Sequence, residues 1–211
     1  MKGNIKLLSG KRIRSPFTNK TRPTTSRTRE ALINILGKSL EGASWLDLCS
    51  GSGAMACEAL LQGVKRILAI ENQKKTAVIC KSNLTDISNQ FDDQIHLEVI
   101  CKEVISFLKK GPNNNKIKFI RDSPQNDHRF DFIFLDPPYE SSIYKDCIEI
   151  LLIKKWIKST STLICECSSN RIPPLHNGWI IKKKKVYGNT TLIFLTPNLA
   201  LHYFDDTDSM H

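Results

Sequence analysis

One junction constrains this chain more than any other feature. The apolar run Trp45 to Cys49 passes through Ser50-Gly51-Ser52-Gly53 directly into a helix-compatible stretch, Ala54 to Leu61. A strand that enters a helix through glycines is the opening of a strand–helix–strand unit, and the glycines allow the backbone to come close to a ligand at that turn. The alternation continues with a strand at Arg66 to Ile70, a helix from about Gln73 to Ile87, strands at Ile95 to Ile100 and Phe130 to Leu135, a helix around Ile143 to Lys155 and a strand at Thr162 to Cys167. These strands are apolar almost throughout, which predicts a mostly parallel sheet covered by helices on both faces. Trp179 to Val186 and Thr190 to Leu195 are separated only by Tyr187-Gly188-Asn189 and predict an antiparallel hairpin.

The 211 residues suffice for one α/β domain with a short extension and would be cramped as two. No apolar run approaches the roughly 18 to 20 residues of a membrane span. Seven cysteines (Cys49, Cys57, Cys80, Cys101, Cys147, Cys165, Cys167) are scattered without a Cys-x-x-Cys pair, the pattern of reduced thiols in a cytoplasmic protein. The five histidines stand at no metal-ligand spacing, so no metal is expected.

The formal charge of +10 is uneven. Residues 1 to 29 hold nine basic side chains and no acid, and such a cluster attracts a polyanion, most commonly nucleic acid. Lys11, Arg12, Arg14, Arg22 and Arg27 are the candidate contacts, with Lys182 to Lys185 as the next basic run. Apolar and basic positions alternate around Ser9-Gly10 and predict a basic β-hairpin; after Pro23 a helix should start near Thr24 to Ser26 and carry Ala31, Leu32, Ile35, Leu36 and Leu40 on one face. A solvated arm or a transit peptide would share this composition. Gly10, Pro16 and Pro23 interrupt it too often for an amphipathic targeting helix.

Gly51-x-Gly53-x-x-Ala56, with Glu71 twenty residues on, also fits a dinucleotide fingerprint, so NAD competes with S-adenosylmethionine for this turn. Asp47 favours S-adenosylmethionine. Its carboxylate suits the cationic amino-acid end of S-adenosylmethionine, whereas a pyrophosphate beside it would be repelled. Ser50, Gly51 and Gly53 then line the turn, and Glu71, with Asn72 next to it, ends the second strand where a carboxylate can accept from both ribose hydroxyls.

Asp136-Pro137-Pro138-Tyr139 follows the strand Phe130 to Leu135 and should stand beside the same pocket, because parallel strands present their carboxyl ends to the ligand crevice. An exocyclic base amine is almost non-basic and needs acceptors for its two hydrogens to hold it for attack. Asp136 and the Pro137 carbonyl can supply them, the prolines stiffen the loop, and Tyr139 offers a stacking face. The pair of motifs therefore points to methylation of a nucleobase amine.

These motifs resemble the RsmD-like bacterial methyltransferases, which modify N2 of a guanine in 16S ribosomal RNA. Arg22-Pro23-Thr24 followed by Arg27 and Arg29 to Leu36, Leu46 to Gly53 with Glu58-Ala59-Leu60, the Asp-Pro-Pro-Tyr loop and Tyr187-Gly188-Asn189-Thr190 carry the likeness over most of residues 10 to 195. Ser26 stands where the family usually has Asp, and Glu103 where an adenine-binding Asp is expected. The resemblance implies a Rossmann-like class I S-adenosylmethionine-dependent fold, with six parallel strands and one antiparallel. It further implies a domain over residues 23–197 preceded by the basic hairpin extension 1–22 and followed by a tail, 198–211. The expected partner is ribosomal RNA or the small ribosomal subunit, met by a monomer. A DNA amine methyltransferase, an NAD-dependent oxidoreductase and a non-catalytic ribosome-assembly factor are the alternatives.

Overall fold

The computed structural model describes residues 3–16, 25–92, 94–114, 117, 128–138 and 143–201. A two-stranded hairpin, β1 (Asn4–Lys6) and β2 (Arg12–Arg14), comes first, followed by α1 (Ser26–Leu36). Strand and helix then alternate through β3 (Ser44–Asp47), α2 (Ala54–Leu61), β4 (Arg66–Glu71), α3 (Lys74–Ser88), β5 (His96–Cys101), α4 (Val104–Leu108), β6 (Phe130–Leu135) and α5 (Ile143–Ile153). β7 (Ile157–Ser168), β8 (Trp179–Tyr187) and β9 (Thr190–Pro197) close the chain's main sheet.

Seven strands form this sheet in the order β5-β4-β3-β6-β7-β9-β8. Every pair from β5 to β7 is parallel, and β9 is antiparallel to both β7 and β8. β8 therefore runs with the parallel set, which gives the expected six strands one way and one the other. The chain builds β3, β4 and β5 outward in one direction and then returns to place β6 on the other side of β3. That reversal leaves a crevice at the carboxyl ends of β3 and β6, the usual ligand position in an open α/β sheet.

Two apolar cores sandwich the sheet because successive strand residues point to opposite faces. Leu46, Ile133, Leu163 and Ile193 pack with α4 and α5, while Trp45, Phe132, Phe134 and Ile164 pack with α1, α2 and α3. Leu7 and Ile13 of the hairpin belong to the second core and are 2% and 4% exposed. The hairpin is thus an integral layer of the fold. Its register, Ile5 opposite Ile13, follows a turn closed by the Gly10 amide donating to the Leu7 carbonyl, with Gly10 at φ 86.

Boundaries shift where local chemistry intervenes. α1 is capped by the Thr25 hydroxyl, which accepts from the Thr28 amide, and ends at Leu36 because Gly37 leaves the helical region; Leu40 is buried from a following 3-10 turn. α5 stops at Ile153, and Lys155 (φ 54) turns the chain into β7. β7 starts earlier than Thr162, with a register irregularity opposite Phe130 and Phe132 where the Ser161 hydroxyl donates to the Phe130 carbonyl. No helix among the described residues is long and apolar enough to cross a membrane.

Candidate active site

Asp47 ends β3 between Ala69 of β4 and Phe134 of β6, in the middle of the sheet. It is 1% exposed, and neither carboxylate oxygen has a hydrogen-bond partner among the described residues. Burial raises its carboxyl pKa to about 8, and the negative charges of Asp136 and Glu71 add to the effect. The Cys49 amide and the Trp45 indole act in the opposite direction without completing a hydrogen bond. A buried acid without donors, facing two further acids, is poised to receive a cation.

Glu71 ends β4 and shapes the turn in front of Asp47. One carboxylate oxygen accepts from the Gly51 amide at 3.0 Å and the other from the Gln73 amide at 2.8 Å. Each oxygen keeps acceptor capacity toward a diol. Ser50 is buried, donates its amide to Ile70, and accepts on its hydroxyl from the Cys80 thiol. Gly51 has φ 51, and a Cβ added there would meet no atom within 4 Å, so its bare backbone faces open space. Gly53 has φ 77 and lies against α3, where a Cβ would come within 2.8 Å of Cys80 Sγ.

Asp136 is half-buried at the end of β6, Pro137 is buried and Pro138 is exposed. Tyr139, the fourth residue of that motif, lies outside the described residues, as does Arg22 of the basic set. Asn72 is exposed beyond Glu71, and its carbonyl accepts from the Cys101 thiol. Glu103 is exposed and caps α4: its two oxygens accept from the amides of Ile105 and Ser106 at 2.8 and 2.7 Å, and these bonds lower its pKa against the opposing effect of burial. Asp47, Glu71, Ser50, Gly51 and Asp136 therefore converge on one crevice. Glu103, like Glu71, accepts one backbone amide on each carboxylate oxygen, so its oxygens also keep acceptor capacity.

The basic candidates sit on the hairpin side. Arg12, Arg14 and Arg27 are exposed; Lys11 is half-buried and donates to the Asp86 carbonyl, and an Arg14 guanidinium nitrogen donates to Ser82 Oγ. Arg29, counted with them by charge alone, is 3% exposed and bonded to Glu58 at 3.1 Å. Glu58 Oε1 also accepts from the Leu8 amide, and Arg29 donates to the Lys6 carbonyl, so this ion pair ties α1, α2 and the hairpin together. Tyr144 of α5, unremarked in the sequence, is buried; its hydroxyl donates to the Glu166 carbonyl, and the Asp136 charge helps to raise its pKa, second to burial.

The donor set fits S-adenosylmethionine: an orphaned buried carboxylate for a cation, a carboxylate at the second strand end for a diol, and glycine backbone open to the crevice. Residues 3–196 match the family described as Conserved hypothetical protein 95. Two Ribosomal RNA small subunit methyltransferase D proteins are similar, both from Buchnera aphidicola. That of the subspecies Acyrthosiphon pisum is 30% identical over 184 residues, 87% of this chain and 85% of the relative, and that of Baizongia pistaciae is 32% identical over 189 residues, 86% of each. Among solved structures, a putative methyltransferase yhhF from Escherichia coli superposes with a TM-score of 0.73 at 24% identity, covering 93% of this chain and 99% of that one.

Proposed function

The chain belongs to the Conserved hypothetical protein 95 family, and from that membership and the geometry above we propose that it methylates the exocyclic N2 amine of a guanine in small-subunit ribosomal RNA. It is an RNA methyltransferase that uses S-adenosylmethionine. The observation that carries the reading is the unpartnered Asp47 carboxylate beside Glu71 and Asp136 at the switch point of the sheet. A pyrophosphate would be repelled by the Glu71 and Asp136 carboxylates that already raise the Asp47 pKa, which speaks against a dinucleotide.

Asp47 receives the cationic amino-acid end of the cofactor and Glu71 its ribose. The cofactor would supply a methyl group on a sulfonium for direct displacement by the amine nitrogen, and the surplus proton of the methylated amine would pass to Asp136 and from there to solvent. Asp136 and the Pro137 carbonyl accept from the two amine hydrogens, so that the nitrogen lone pair is aimed during attack; Tyr139 would stack on the base. Asp136 accepts more strongly as positive charge develops on nitrogen, and most of the acceleration comes from this positioning. The hairpin within residues 1–22 presents Lys11, Arg12 and Arg14 to RNA phosphates next to the domain spanning residues 23–197, and the enzyme acts as a monomer.

Transfer of labelled methyl groups tests the proposal. Small ribosomal subunits lacking the modification, or their RNA, should accept label while duplex DNA should not, and nuclease digestion should yield N2-methylguanosine. Asp136→Ala should lower turnover on the order of 10² to 10³-fold. Label on DNA, or on another position of the base, would overturn the assignment.

A further inference from the structure

β8 is the edge of the sheet and carries four consecutive lysines, Lys182 to Lys185, all exposed. Between Glu166 and Asp205 the chain has Arg171 and these lysines but no acid. With Arg29 neutralised by Glu58, the positive excess is not confined to the amino-terminal hairpin.

The sheet register fixes where these charges stand. The row that ends β6 at Leu135 runs through Cys165 of β7 and Ile193 of β9 to Lys184, and the next row, level with Asp136, runs through Glu166 and Leu192 to Lys185. Three strand spacings separate β6 from β8, or about 14 Å. The lysines therefore flank the catalytic loop at the same end of the sheet. Lys183 and Lys185 lie opposite Phe194 and Leu192, on the face that packs with the hairpin, α1, α2 and α3, and Tyr187 follows on that face. Alternate residues are roughly 6.8 Å apart along a strand, comparable with the separation of neighbouring phosphates in an extended nucleotide strand.

We infer that Lys183 and Lys185 form a second RNA-backbone grip, which together with the hairpin holds the nucleotide strand across the catalytic loop; the inference rests on the RNA methyltransferase reading. Charges also guard a sheet edge against pairing, a role for which their alignment with the catalytic loop and the hairpin face is immaterial. Four in succession, two of them on the face that carries the basic hairpin, form a phosphate track.

The test measures binding of a small-subunit ribosomal RNA transcript across a salt series. Lys183→Ala/Lys185→Ala should weaken binding on the order of tenfold and flatten the slope of log affinity against log salt by about 1.4 to 1.8, the value for two lost phosphate contacts. S-adenosylhomocysteine affinity should stay unchanged, which also verifies folding, and Lys183→Arg/Lys185→Arg should restore RNA affinity. The loss should combine additively with that of Arg12→Ala, since the two sites share no partner. Unchanged RNA affinity and slope in the double alanine variant would overturn the grip, and a new dimer in that variant on sedimentation would identify the lysines as an edge guard. Failure of the unaltered enzyme to methylate ribosomal RNA would instead remove the underlying function.

Discussion

Asn83, buried within α3, grips Arg14 of the hairpin by both backbone groups: its Oδ1 accepts from the Arg14 amide at 2.9 Å and its Nδ2 donates to the Arg14 carbonyl at 2.9 Å. The same Nδ2 donates at 2.8 Å to the carbonyl of Ser52, between the two glycines of the cofactor turn. One side chain thus joins the basic hairpin to the glycine turn proposed to hold cofactor.

Asn83→Ala should therefore lower stability by about 1 to 3 kcal/mol, the scale for leaving buried backbone groups unsatisfied. Asn83→Asp, which keeps the acceptor but loses the donor, should weaken cofactor binding as well. Chemical denaturation and calorimetry would measure the two effects. Because Leu7 shares the core, Leu7→Ala should cost about 2 to 5 kcal/mol. If deleting residues 1 to 14 left the unfolding midpoint unchanged, the hairpin would be a detachable arm after all.

Arg29→Met should destabilise the protein by about 3 to 5 kcal/mol, since it leaves Glu58 buried without its counter-charge. The double variant Arg29→Met/Glu58→Leu should recover part of that loss, because an apolar pair avoids the stranded charge. A double variant less stable than Arg29→Met would show that the hydrogen bonds to Leu8 and Lys6 dominate the site.

The raised pKa of Asp47 makes stability depend on pH and, through its proposed contact with the cofactor, should make cofactor affinity do so too. Folded, the carboxyl holds its proton up to about pH 8; unfolded, it releases it near 3.8. The cofactor-free protein should therefore lose stability as pH rises from about 4 to 8. Cofactor binding should show the opposite trend, because the ammonium group favours the ionised carboxylate: affinity should increase toward pH 8 with release of a proton at neutral pH. Calorimetry in buffers of different ionisation enthalpy measures that proton directly. Asp47→Asn should abolish it, and an equal proton release in that variant would exclude Asp47 as its source.

Gly51 and Gly53 should fail differently when replaced. Each holds a positive φ, so alanine costs about 1 to 2 kcal/mol at either position. Gly51→Ala adds a methyl group to open space on the crevice side and should chiefly impair cofactor binding. Gly53→Ala places its Cβ against the buried Cys80 sulfur and should chiefly lower the melting temperature. Equal loss of cofactor affinity with equal loss of stability in both would contradict this division.

The sequence displayed what depends on local pattern. The Trp45–Cys49 run, its glycine turn and the Asp136 motif could be read because each is a short segment whose neighbours in the chain are also its neighbours in space. The pairing of Arg29 with Glu58 was hidden, since 29 residues separate them and Arg29 was indistinguishable by charge from the exposed arginines around it. The resemblance assigns Glu103 to the adenine; that its carboxylate also caps α4 is not legible in the sequence, because a five-residue helix is too short to show a period. Asn83 gave no signal either, because a polar residue in a helix reads as surface until its partners are known.

The position of β9 between β7 and β8 has a consequence for the order in which the fold can be completed. β8 leaves the ribosome before β9, yet among the described residues of the sheet it hydrogen-bonds only to β9, so until Thr190–Pro197 arrives it lacks that ladder. Sheet formation can proceed from β3 to β7 during synthesis, but its final step inserts the later strand inside the earlier one. The segment that waits is the one that carries Lys182 to Lys185, and like charges oppose the edge-to-edge pairing to which a strand without its partner is open.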